Sequence, residues 1–234
     1  MPIQPTPEQV SEFQDALRDE FRTAWQQLGT ARPGDRFYGF GLYTGDDAMA
    51  MTVVAFSTLG LRQAAERYAA RYHGEVALNE RSLRWSPADS PLRGSDPDAL
   101  VRSQALRNAM PHPFPDDADL DDGEFDDTAP DLVAKAVFRA AFAALKSLAK
   151  EGLFGKGAER ESLTLGIWQY DESEKKKLAA VRKLNPESVV VRYQAEREDG
   201  MKASLAWQKV YIAAKLKERD AAKAKAAGSS APRR

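Results

Sequence analysis

The sequence predicts an α+β fold, an antiparallel sheet of three to five strands covered by several α-helices. Three observations predict it. A long N-terminal segment repeats apolar residues at steps of three and four. Two apolar runs rich in aromatic and β-branched residues then follow each other across a short turn, and a third such run lies far downstream. Alanine-rich stretches with helix start signals fill the space between and after them.

Thr6-Pro7-Glu8-Gln9 reads as a helix start, with Thr6 as cap, Pro7 at the first helical position and Gln9 where a capping box wants it. Val10, Phe13, Leu17, Phe21, Ala24 and Leu28 then share one face, and Gly29 is a stop, so residues 7–28 are a helix. Residues 36–44 and 48–57 read as strands of an antiparallel hairpin turning at Gly45-Asp46-Asp47. Gly39 and Gly41 inside the first strand mark close packing or a bulge.

Residues 61–72 are helical and end at Gly74, whereas 75–86 are ambiguous, with a short strand at 81–85 as one reading. After Pro87, Pro91, Gly94 and Pro97 a helix covers 98–109, and another covers 130–150 behind the capping signal Thr128–Asp131. That second helix carries Val133, Ala136, Val137, Ala140, Ala141 and Leu148 on one face and is expected to be among the most buried. Residues 162–170 alternate as a strand, 173–184 are helical, and Asn185-Pro186-Glu187 starts a helix over 186–198 against the strand preference of Val189–Val191. Gly200 breaks the chain before a final helix over 201–226. The organisation is a single α+β domain over 1–214, with an acidic insertion at 111–128, followed by a charged helix end and a disordered basic tail over 215–234.

Composition narrows the chemistry. With 234 residues, 43% hydrophobic and 29% charged, the chain is apolar enough for a sizeable core. A formal net charge of −1 gives no basic surplus of the kind nucleic-acid binders carry, so nucleic acid is not expected as a partner. The absence of cysteine excludes disulfides, thiolate nucleophiles and Cys-ligated metals. The first residues carry no signal-peptide pattern, and no run approaches the roughly 18 apolar residues of a membrane span, so a cytoplasmic protein without membrane contact is expected.

No segment matches a catalytic motif. Gly155-Lys156-Gly157 lacks the spacing and the Ser/Thr of a phosphate loop, and His73 and His112 sit in no metal or triad pattern. Residues 116–127 hold eight acidic side chains in twelve positions. Asp117, Asp119 and Asp121 have the alternate spacing of a calcium loop, but Asp122 stands at its glycine position and Thr128 at its closing glutamate, so no metal is assigned. Asp116, Asp117, Asp119, Asp121, Asp122, Asp126 and Asp127 are candidate contacts to a basic partner, against the simpler reading of a solvated insertion. Arg84 and Trp85 are candidate contacts because Arg and Trp are favoured at binding hot spots; the simpler reading is a Trp closing the core with Arg84 paired to a carboxylate. Phe37, Tyr38, Phe40 and Tyr43 are core aromatics rather than a base-stacking platform, since only Arg36 lies beside them.

The segments FYGFGLYTGDD, RWSPADSPL, ERESLTLGIWQYD and KLNPESVVVRY, in this order and spacing, resemble the DUF4303 family of uncharacterised bacterial proteins across residues 8–200. The resemblance implies no activity, catalytic residue or cofactor. In size and style such proteins are similar to small cytosolic proteins encoded beside bacterial toxins as immunity factors. The expectation is therefore a non-enzymatic cytosolic binding protein, an immunity-like inhibitor of a basic toxin-like partner. The alternatives are an enzyme with an unrecognised polar pocket, and an assembly subunit showing an exposed apolar patch.

Overall fold

The first helix starts where its cap directs it. The Gln9 N–H donates to Thr6 Oγ1 at 3.2 Å and the Thr6 N–H donates back to Gln9 Oε1 at 2.8 Å. α1 (Pro7–Ala31) buries Phe13, Ala16, Leu17, Phe21, Ala24 and Leu28, the expected face, and runs past Gly29. This computed structural model describes residues 4–72, 74–94, 96, 98–111 and 129–229.

β1 (Phe37–Thr44) and β2 (Met51–Ser57) form the expected antiparallel hairpin. β2 begins three residues later than the sequence suggests. Asp47 Oδ1 accepts the Met49 N–H at 2.9 Å and Ala48 sits at φ 54, so residues 45–50 belong to the turn. β3 (Thr164–Gln169) joins the other side of β1, giving the order β2-β1-β3. It runs parallel to β1, pairing Gly39 with Thr164 and Tyr43 with Trp168, so the sheet is mixed and not purely antiparallel. The chain between β2 and β3 holds helices α2 (Thr58–Tyr72), α3 (Val76–Leu83), α4 (Val101–Asn108), α5 (Ala129–Glu151) and α6 (Ala158–Ser162), a long crossover that a parallel pair requires.

Helices cover both faces of the sheet. Phe40, Leu42, Val53, Ala55, Leu165 and Ile167 pack towards α1 and α5, where Val137, Ala141, Ala144, Leu145 and Leu148 are fully buried. α5 is thus among the most buried helices, as its sequence predicts. Tyr38, Val54, Phe56 and Trp168 pack on the opposite face against Trp85 and against Val181, Val190 and Tyr193. The last three come from α7 (Glu174–Leu184) and α8 (Glu187–Ser229).

Glycines set the spacing in this sheet. A Cβ on Gly39 would lie 2.7 Å from Trp85, and one on Gly41 would lie 1.8 Å from the Gly166 carbonyl oxygen across the parallel pair. Both are close approaches, as expected, and the β1–β2 register also shifts between Phe37 and Gly39. The free edge of β3 is closed by a side chain. Asn185 Oδ1 accepts the Leu165 N–H at 2.9 Å and its Nδ2 donates to the Leu165 carbonyl at 2.7 Å, doing for the edge what a neighbouring strand would do.

One ambiguous segment resolves as a helix, and one expected helix break needs correction. Residues 76–83 are the helix α3, and no strand forms at 81–85. Packing against α2 and α8 decides it, with buried Asn79 donating to the Ala65 carbonyl at 3.3 Å. Gly200 does not break the chain: α8 runs through it without interruption. A Cβ there would lie 2.9 Å from the Arg81 carbonyl oxygen, so the glycine serves the close crossing of α8 and α3. Beyond it Met201, Leu205, Ile212 and Leu216 are exposed along one side of α8. This is the apolar feature an assembly subunit would need. No helix among the described residues is long and apolar enough to cross a membrane.

Candidate functional site

A cleft of about 1240 Å³ opens beside the start of β1. Its walls are the C-terminal part of α1 (Ala24, Leu28, Ala31), Val53 of β2, the first turn of α2 (Thr58, Leu59, Arg62), Glu80 of α3, and Asp96 and Ala99. Among the described residues the apolar lining is aliphatic, with no aromatic ring.

One carboxylate occupies the inner wall. The turn Arg32–Asp35 closes with the Asp35 N–H donating to the Arg32 carbonyl at 3.2 Å, with Gly34 at φ 84. Asp35 is thereby aimed at the start of α2, where its Oδ1 accepts the Leu59 N–H at 3.2 Å. The Arg36 carbonyl accepts the Thr58 N–H at 2.9 Å, completing the cap. The Asp35 side chain is 3% exposed, and its Oδ2 accepts no hydrogen bond. Arg32 Nη1 stands 3.8 Å away, close enough to attract and too far to bond. Arg62 is held by Glu66 at 2.8 Å and Glu80 at 3.3 Å.

Arg84 and Trp85 lie on the other face of the sheet. Trp85 is 3% exposed, surrounded by Tyr38, Phe56, Trp168 and Tyr193 at ring separations of 4.8–6.4 Å. Its Nε1–H donates to Glu196 Oε2 at 2.9 Å, and Arg84 Nη2 donates to the other oxygen at 2.8 Å. The Arg84 guanidinium also covers the Tyr38 ring at 4.5 Å, while the Tyr38 hydroxyl donates to the Arg84 carbonyl at 2.8 Å. Burial raises the pKa of Tyr38 far above the usual phenol range, and it pushes that of Tyr193 up to about 12. Trp85 thus closes the core and Arg84 is ion-paired, the simpler of the two arrangements weighed from the sequence.

Two further arginines connect the cluster to the cleft. Arg192 of α8 donates to the Glu161 carbonyl and, at 3.1 Å, to Thr164 Oγ1, both uncharged acceptors. Parallel pairing of β1 with β3 brings Arg36 towards the same end of the sheet. Burial lowers the Arg192 pKa, Glu196 and Glu161 oppose the shift, and the positive charges of Arg84 and Arg36 add to it. Among the described residues, no carboxylate stands within ion-pair range of either Arg36 or Arg192. The sequence reading missed Asp35, Arg36, Arg192 and Glu196, because none sits in a motif.

The remaining candidates scatter. Asp116, Asp117, Asp119, Asp121, Asp122, Asp126 and Asp127 lie outside the described residues, as do His73 and His112. Asp46 and Asp47 form the hairpin turn, and Gly155 and Gly157 adopt left-handed turn conformations at φ 82 and 53. Arg107 is a buried cation bonded to the carbonyls of Ala48 and Asp47 at 3.1 and 3.2 Å, and burial lowers its pKa. Among the described residues, no group of three or more His, Cys, Asp or Glu is placed to hold a metal ion.

No curated protein and no solved structure matches the chain. The family model described as a domain of unknown function, DUF4303, matches residues 17–186, which include Asp35, Arg36, Arg84 and Trp85 and end at the start of α8. Over that span of strands, crossover and capped helices, the chain belongs to the DUF4303 family.

Proposed function

We propose that this protein is a non-enzymatic binding protein and that the cleft between α1, α2 and residues 96–99 is its recognition element. The carrying observation is the pairing of a large aliphatic cleft with one deeply buried, half-bonded carboxylate, Asp35. Binding sites have this composition, mostly apolar walls with a few placed polar groups. Neither Arg84 nor Asp46 lines the cleft, which removes two of the groups on which the enzyme alternative would draw. The immunity-like form of the proposal, inhibition of a basic toxin in the cytoplasm through Asp116–Asp127, rests on sequence and family likeness.

Pairwise co-expression with the products of the flanking genes tests the reading. A product that co-elutes with the wild-type chain, and is released by Ala99→Trp while the thermal midpoint holds, supports the cleft as the recognition element. Equal binding by Ala99→Trp, or no binding by any flanking product, defeats it.

A further inference from the structure

We infer that two copies of this chain pair through α8, antiparallel about a two-fold axis, along the exposed side that carries Met201, Leu205, Ile212 and Leu216. This goes beyond the binding reading, and among the described residues no α8 side chain lines the cleft. α8 is seated on the body as far as Tyr211. Ala203 is buried, Trp207 stacks on Tyr211 at 5.2 Å, and both rings stand against Tyr72 of α2 at 6.1 and 5.9 Å. These contacts fix the rotation of the helix. At 3.6 residues per turn the four aliphatic side chains fall in one sector of about 60°, each 43–60% exposed. A stripe this narrow is the seam of a helix pair, not the broad face a helix lays on a globular body. From Lys215 to Lys223 every residue is exposed, so this end of the helix projects.

The order of residues along the stripe says what covers it. From Glu198 through Met201, Leu205, Ile212 and Leu216 to Arg219 the steps are three, four, seven, four and three, the same in both directions. Laid antiparallel on a second copy, the helix sets Met201 against the partner's Leu216, Leu205 against the partner's Ile212, and Glu198 against the partner's Arg219. Every contact occurs twice, as a two-fold interface requires. A parallel pair would instead set glutamate on glutamate and arginine on arginine, so charge selects the antiparallel arrangement. Both charged groups are open to a partner. Glu198 is exposed and accepts only from Gln194 at 3.1 Å, and Arg219 is 59% exposed beside Asp220 at 3.4 Å. One group opposes the pairing: Lys209 of each copy meets its equivalent beside the axis. A lipid surface or an unrelated acidic helix would gain nothing from this symmetry, which favours a second copy.

Sedimentation equilibrium of the full chain between about 1 and 200 µM tests the pairing, with a dimer Kd of roughly 1–100 µM expected for so short a seam. Leu205→Glu, at an exposed position, should keep the wild-type circular dichroism spectrum and stay monomeric over that range. Glu198→Arg and Arg219→Glu each turn two attractions into two repulsions and should weaken the dimer roughly 3–30-fold. The double variant should restore it, and the two single variants should pair with each other better than with themselves. Lys209→Gln should tighten the dimer about 2-fold. A monomer throughout overturns the inference, and one that co-sediments with phosphatidylglycerol vesicles would assign the stripe to a membrane surface instead. So does a dimer that Leu205→Glu leaves intact, a charge effect that the double variant does not reverse, or a dimer that Lys209→Gln weakens.

Discussion

Replacing Glu196 separates two contributions that share one carboxylate. In Glu196→Ala the Trp85 Nε1–H, inside a residue 3% exposed, loses its acceptor. An orphaned buried donor costs about 1–3 kcal/mol. The ion pair with Arg84 is the smaller part. Its side chains are 34% and 22% exposed, and a pair that solvent reaches is worth at most about 1 kcal/mol. The alanine variant should therefore lose about 1–4 kcal/mol. Glu196→Gln keeps an oxygen for the indole and removes only the charge, so it should lose about 0.5–1 kcal/mol. Urea unfolding followed by circular dichroism reads both, with an unchanged m-value showing that the native and denatured ensembles are unaltered. For a chain of this size the alanine variant's midpoint should fall by roughly 2–16 °C. Equal losses in the two variants would refute the reasoning, because they would place the energy in the ion pair. An alanine variant within about 0.5 kcal/mol of wild type would show that the indole finds another acceptor.

Two further perturbations follow from the packing. Gly41→Ala sets a Cβ 1.8 Å from the Gly166 carbonyl oxygen, a clash between backbones that no rotamer relieves. It should cost more than the ~1–3 kcal/mol usual for overpacking, while Gly29→Ala, with nothing within 4 Å, should be neutral or stabilising; similar midpoints for the two variants would contradict the parallel register. Glu172 carries a buried, unbonded Oε2, and burial raises its pKa above the ordinary 4.5, against a backbone hydrogen bond from Gln169 and the pull of Lys177 and Lys176. The folded state then binds the proton more tightly than the unfolded state, so stability falls as pH rises from 4.5 through the raised value. Glu172→Gln should stabilise by about 0.5–1 kcal/mol at pH 7.5, with the gain fading as pH drops to 4.5; a difference independent of pH between those limits would remove burial as its cause.

Local chemistry made much of this fold legible. The Thr6–Gln9 box and the Asn185-Pro186 start are decided within a few residues, and each directs its helix as its sequence predicts. The failures fall where a residue's role depends on something distant. Alternation identifies 162–170 as a strand but carries no direction, and direction follows from the crossover that returns the chain to β1. A glycine inside a helical pattern has two meanings, an end or a close approach. At Gly200 the Arg81 carbonyl, 2.9 Å from where a Cβ would stand, decides for the second.

The candidate site was hidden for the same reason. Pro33-Gly34-Asp35 reads as an ordinary turn, and a turn aspartate is expected to face water. Asp35 becomes a buried acceptor only because it caps a helix that starts 23 positions later, across the whole hairpin. Arg36 and Arg192 approach each other only through the parallel register of β1 with β3, which no local pattern encodes. Arg84 and Trp85 stood out because their residue types are common at interfaces. That preference describes residues that reach solvent, and Trp85, bonded through Glu196 to α8, does not. Residue type therefore drew attention to the side of the sheet where the charges are already matched. Asp35, with only Arg32 at 3.8 Å from its Oδ2, and Arg36 both line the cleft on the other side, where no residue type stood out.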